Sequence, residues 1–185
     1  SIQPRAERIL KAAVVNLSAA KSYMFRGEMT KEGLIPGGQR LEYAGTVQAA
    51  VRRPDHAWMK VESEDVRRSE WYDGKTFTHF DIAADAYATW PAPPTINEFL
   101  DKLKEKLGFV LPMAPLLRQF DDKEGFKNIK SGLYVGEAVV RGSACSHLAL
   151  STEEIDWQIW VDNVVPVIRR IVVTYKKLPG DPQFA

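Results

Sequence analysis

Ile155-Asp156-Trp157-Gln158-Ile159-Trp160-Val161-Asp162-Asn163, followed by Pro166 and by Arg169-Arg170-Ile171-Val172-Val173-Thr174-Tyr175, is the stretch that decides the fold. Side chains alternate across a strand, so Ile155, Trp157, Ile159 and Val161 share one face, and Asp156, Gln158, Trp160 and Asp162 share the other. One face is apolar and one is mixed. The whole segment from Leu133 to Lys177 carries this period of two, which predicts antiparallel strands near 127–141, 144–152, 155–162 and 167–176.

The same period runs through the front half, with strands expected near 22–31, 40–52, 57–66, 67–72, 75–82 and 86–90. Gly37-Gly38, Arg53-Pro54-Asp55, Asp73-Gly74 and Ala83-Ala84-Asp85 punctuate them. Asp73-Gly74 is the strongest turn, because a tight hairpin needs positive φ and these residues tolerate it. Before the first strand, Ile9, Leu10, Ala13, Val14, Leu17 and Ala20 fall at helical spacing and predict a helix laid by one stripe on the sheet.

Pro91-Ala92-Pro93-Pro94 then breaks the meander. Thr95 and Glu98 stand at the spacing of a capping box, and the helix they open should run to Gly108. Ile96, Phe99, Leu100, Leu103 and Leu107 form its apolar face, opposite Glu98, Asp101, Lys102, Glu105 and Lys106. A short apolar piece, Leu111 to Leu117, follows, and Asp121-Asp122-Lys123-Glu124-Gly125 is expected to close the insertion in a polar turn. The expectation is one domain, residues 1–185, of α+β class. It is an incomplete, half-open antiparallel β-barrel of about ten strands, with an N-terminal helix and a central helical lid at about 95–120.

Composition narrows the function. The 185 residues are 45% hydrophobic and 26% charged, which suits a folded chain with a substantial core. Twenty-five basic against twenty-four acidic side chains leave a net charge of +1, so no global field favours nucleic acid. Ser1 in place of Met leads to the expectation that a signal peptide has been removed.

Catalytic constellations do not assemble from the sequence. His79 and Asp81, and likewise Cys145 and His147, stand two apart on strands and share faces, but a satisfied strand residue explains each better than a metal ligand or a thiol nucleophile. The acidic groups at Glu62, Glu64 and Asp65, at Asp121-Asp122 and at Glu153-Glu154 adjoin turns, where solvation accounts for them. Gly33, Gly37 and Gly38 are not spaced as a dinucleotide fingerprint. No catalytic residue, cofactor or metal is therefore expected. What stands out is apolar: Trp58, Phe77 and Trp157 from strands, and Phe99, Leu103, Leu107 and Leu117 from the lid, are the candidate ligand-binding residues.

Arg53-Pro54-Asp55, Tyr72-Asp73-Gly74-Lys75 with Asp81, the insertion with Leu111-Pro112 and Leu116-Leu117, and Trp160-Val161-Asp162 with Pro166 and Arg169 resemble the bacterial periplasmic lipoprotein carriers LolA and LolB. Through Tyr134-Val135-Gly136, Cys145-Ser146-His147-Leu148-Ala149 and Asp156-Trp157-Gln158-Ile159-Trp160 the chain also resembles a predicted periplasmic family of unknown function in that superfamily. The resemblance implies a periplasmic, non-catalytic protein whose hydrophobic cavity, closed by helices, takes acyl chains of a lipid or lipoprotein, with transient membrane contact. The alternative on the same scaffold is an interaction or envelope-stress sensor domain with a filled interior and an envelope protein as partner.

Overall fold

Pro4 opens the first helix at the position where a missing N–H costs nothing. In chain order the elements are α1 (Pro4–Ala19), β1 (Ser22–Leu34), β2 (Arg40–Arg52), β3 (His56–Ser63), β4 (Arg67–Tyr72), β5 (Thr76–Asp81), β6 (Ala86–Pro91), α2 (Ile96–Leu107), α3 (Ala114–Leu117), β7 (Ser131–Val140), β8 (Ser143–Ser151), β9 (Ile155–Asp162), β10 (Ile168–Tyr175) and β11 (Gln183–Phe184). The computed structural model describes residues 1–108, 111–120, 126 and 128–185. They form two compact units, Ser1–Ala19 with Phe120–Ala185, and Ala20–Gln119.

The α+β class and the antiparallel pairing are as the sequence predicts, and the strands form open sheet rather than a closed barrel. Eleven strands lie among the described residues, in keeping with the about ten expected. The added one, β11, pairs Phe184 with Val173 and Gln183 with Thr174 of β10, and two residues are too few to show a period. The strand expected from residue 127 begins at Ser131. The polar turn expected at 121–125 lies outside the described residues.

In the first unit, β11, β10, β9, β8 and β7 lie side by side in that order. Leu150 pairs with Trp157, and Trp157 with Val173, while Leu148 pairs with Ile159, and Ile159 with Ile171. The face that holds Trp157 and Ile159 therefore becomes a continuous apolar wall. α1 lies on it through Ala6, Leu10 and Ala13, which share a cluster with Leu148, Leu150, Ile159 and Val161. Two of the three buried contacts from the helix are alanines, whose small side chains let the helix backbone come close. Leu17, expected in the stripe, is only half-buried.

Asp162 fixes the turn between β9 and β10. Its carboxylate accepts from the N–H groups of Val164 at 2.9 Å and Val165 at 3.2 Å, and from Arg169 Nε at 3.0 Å. Those two N–H groups, with Arg169, hold its pKa below the usual carboxylate value. A depressed folded-state pKa contributes stability that is fully present above the unfolded value and lost as pH falls through the folded one. Asp162→Asn should therefore unfold at lower urea concentration than wild type at pH 7. The gap between the two midpoints should close as the pH drops below about 4.

In the second unit the order is β6, β5, β4, β3, β2, β1, with every neighbour antiparallel. The β4–β5 hairpin turns where expected. Asp73 accepts from the N–H groups of Lys75 at 2.9 Å and Thr76 at 2.7 Å, and Gly74 takes φ 77°. A Cβ on Gly74 would come within 2.9 Å of Asp55 Cβ, so the turn also needs glycine for space. α2 starts as its capping box predicts, with Glu98 N–H donating to Thr95 Oγ1 at 3.2 Å, and stops at Gly108 with φ 77°.

Candidate functional site

The six-stranded sheet of residues 20–119 has two different faces, and its register assigns each side chain to one of them. Tyr23, Val51, Ala57, Tyr72, Phe77 and Trp90 are successive partners across the strands, so they form one row on one face. The next row, Met24, Ala50, Trp58, Trp71, Thr78 and Thr89, points the other way.

The first face carries α2. Phe99 lies parallel to Tyr72, ring centroids 4.7 Å apart and planes 7° off, and meets Phe77 at 4.9 Å. Phe77 in turn stacks on Trp90 at 5.9 Å. Val51, Tyr72, Ile96, Leu100, Ala114 and Leu117 are buried together around these rings. Polar ties reinforce the apolar contact: Tyr72 Oη donates to Pro93 O at 2.6 Å, and Tyr23 Oη donates to Leu116 O at 2.6 Å. Arg53 donates to Leu117 O at 3.0 Å, to Arg118 O at 3.2 Å and to Tyr23 Oη at 3.2 Å. One arginine thus terminates α3 by holding its orphan carbonyls. Burial, with the nearby carboxylates of Asp55, Glu98 and Asp73, pushes the Tyr72 hydroxyl up to about 12, so it stays a donor at any physiological pH.

Burial along α2 is uneven. Ile96 is 3% exposed and Leu100 5%, whereas Leu103 is half-buried and Leu107 is 47% exposed. At the sheet edge Trp90 is 46% exposed. The first half of the helix is packed, and the apolar stripe continues past the packing.

On the second face Trp58, Trp71, Met24, Ala50 and Thr78 line an open groove of about 560 Å³. Trp58 Nε1 donates to the buried Ser69 Oγ at 3.0 Å, and Trp71 is 45% exposed.

Six of the seven expected ligand residues belong to the second unit, where they fall on both faces of its sheet. Phe77, Phe99 and Leu117 meet under α2, and Leu103 and Leu107 continue its stripe. Trp58 lines the groove on the opposite face. Trp157 belongs to the other unit, where it packs against the α1 cluster with its Nε1 buried and without a partner among the described residues. The sequence reading missed Tyr72 and Arg53 beneath the helix, and Met24, Ala50 and Trp71 in the groove. Counting outward from Asp73-Gly74 would have paired Trp71 with Thr78 and Tyr72 with Phe77, which separates the two faces.

The histidines are each engaged separately. His56 Nδ1 lies 2.6 Å from Asp55, His79 Nδ1 lies 3.2 Å from Glu70, and His147 stacks on Trp160 with Nε2 3.0 Å from Gln158. Burial, with Asp162 nearby, pushes the Cys145 thiol up, away from the reactive thiolate. Among the described residues no group of three or more His, Cys, Asp or Glu is placed to hold a metal ion. No described helix is long and apolar enough to cross a membrane.

The second unit is thus an antiparallel sheet with the amphipathic α2 on its aromatic face. Residues 6–185 match the family described as predicted periplasmic protein (DUF2092), and the chain belongs to that family. The fold is similar to that of MucB, at 14% identity and a TM-score of 0.54, over 100% of this chain and 58% of MucB. The MucA/MucB complex of Pseudomonas aeruginosa matches at 14% identity and TM-score 0.50, over 97% of this chain and 54% of that one. The chain thus spans little more than half the length of the MucB structures. A LolA superfamily protein from Nitrosomonas europaea is a more distant neighbour, at 9% identity and TM-score 0.37, over 97% and 89% of the two chains. No curated protein matches the sequence.

If the ring stack is what holds α2, Phe99→Ala should cost about 3 kcal/mol, and Tyr72→Phe, which keeps the ring and loses one hydrogen bond, about 1 kcal/mol. Urea denaturation of the two variants measures the order.

Proposed function

We propose that the protein is a non-catalytic periplasmic binding protein that shelters an acyl chain, carried by a lipid or a lipoprotein, against the outer half of α2. The observation that carries this reading is the helix itself. Its apolar stripe is longer than the surface it covers, with Leu103 half-buried and Leu107 and Trp90 both nearly half exposed. Each methylene of an acyl chain moved out of water gains about 0.8 kcal/mol, so even a short chain laid along this surface would be retained. The separately engaged histidines and the raised Cys145 thiol support binding without chemistry. Family membership supports the periplasm as its location.

A second reading, recognition of an envelope protein, is favoured by β6. That strand pairs on one side only, with β5, is exposed at all six positions and carries no charged residue. Unguarded edges of this kind accept an extended segment as an added strand. The MucA/MucB complex is a partnered example of the fold.

Titration with a fluorescent fatty acid tests the first reading. Wild type should bind it saturably, and Leu107→Asp, a change at an exposed position, should weaken binding at least about tenfold, the loss of more than 1.4 kcal/mol of apolar contact. Folded wild type that takes up no fatty acid, or equal uptake by the Leu107→Asp and wild-type proteins, would refute it.

A further inference from the structure

The groove on the sheet face opposite α2 has a composition that an acyl chain does not match. Ala50 stands in its row between Met24 and Trp58, and a methyl group between two large side chains leaves a trough. Trp71 is the partner of Trp58 on the next strand, so two indoles lie side by side along one flank. The Trp58 N–H is already used by Ser69, which fixes that ring and leaves its carbon surface for contact. At about 560 Å³ the space is in the range of small-molecule sites.

The rim is polar and offers both kinds of hydrogen-bonding group. Arg52 donates only, Asp73 accepts only, and Ser22, Thr76 and Thr78 do both. Asp73 is held ionised by the N–H groups of its own turn, so its acceptor oxygens persist at neutral pH. Asp73 and Thr76 already bond each other and Thr78 bonds Thr89, so the groups a hydrocarbon would cover without pairing are the Arg52 guanidinium and the spare lone pairs of Asp73, and covering such a group unpaired costs about 1–3 kcal/mol. The chemistry that satisfies both parts is a ring with a C–H face to lay on indole and hydroxyls around its rim to donate and accept.

We propose that this groove is a carbohydrate-binding site, with the sugar ring lying along Trp58 and Trp71 and its hydroxyls reaching Arg52 and Asp73. The site is separate from the acyl surface under α2, and the two stand or fall independently.

The test is titration of the full chain with three neutral oligosaccharides, cellotetraose, maltotetraose and the trimer of N-acetylglucosamine, followed by tryptophan fluorescence and by the indole N–H signals in two-dimensional NMR. At least one should bind saturably in the millimolar range or tighter and shift the signals of Trp58 and Trp71. Trp71→Ala, at a residue already 45% exposed, should abolish that binding, and Trp71→Phe should restore part of it. Arg52→Ala should weaken it about tenfold, and Leu107→Asp should leave it unchanged. Wild type that stays folded and binds none of the three sugars overturns the proposal. So does a Trp71→Ala variant that loses fatty-acid binding while sugar binding is unaffected.

Discussion

The parallel contact between Phe99 and Tyr72 is the interaction on which the second unit depends. Without it, Ile96, Leu100 and the Phe99–Phe77 contact are left as the apolar hold of α2 on the sheet among the described residues. The polar ties around it act on the ends of the insertion rather than on the helix itself: Tyr72 binds the carbonyl of Pro93, and Arg53 and Tyr23 bind the carbonyls at the close of α3. The insertion is thus anchored at its entry, its first helical turns and its exit. In the second half of α2 Leu103 is half-buried and Leu107 nearly half exposed, and these apolar residues are what a guest would meet under the proposed function.

Period-two alternation gives the two sheet faces different chemistry. Under α2 the row runs from Tyr23 to Trp90 and is almost entirely apolar, which suits packing of a helix. On the reverse the same strands present indoles beside serine, threonine, arginine and aspartate. A single-residue change of register at the Asp73-Gly74 turn would flip β5 and β6 and turn Phe77 and Trp90 away from the face that carries α2.

Much of this was legible in the sequence, and for identifiable reasons. The strands of both units followed from alternation and from glycine- and proline-rich turns, though β1 runs three residues past its expected end and β3 stops three short, and α2 followed from Thr95, Glu98 and Gly108, because each of these signals acts within a few residues of itself. The apolar face of β9 was also correct, since Ile155, Trp157, Ile159 and Val161 need only the strand period. What escaped was everything set by distant partners. Trp58 and Phe77 were expected to face one ligand, and they lie on opposite faces because their relation depends on pairing through β4. Arg53 has no signature as a clamp, because its acceptors are carbonyls of residues sixty-four and sixty-five positions away. Strand β11 is too short to carry any pattern.

The proposed binding requires α2 to be fixed in its first half and able to admit a guest in its second. Hydrogen exchange read amide by amide along the helix, with and without dodecanoate, tests that most directly. Phe99, Leu100 and Asp101 should exchange slowly in both states, while Lys104 to Leu107 should exchange fast alone and slow when dodecanoate is present. Equal exchange along the whole helix in the free protein, or no added protection anywhere in α2 with dodecanoate bound, would contradict it.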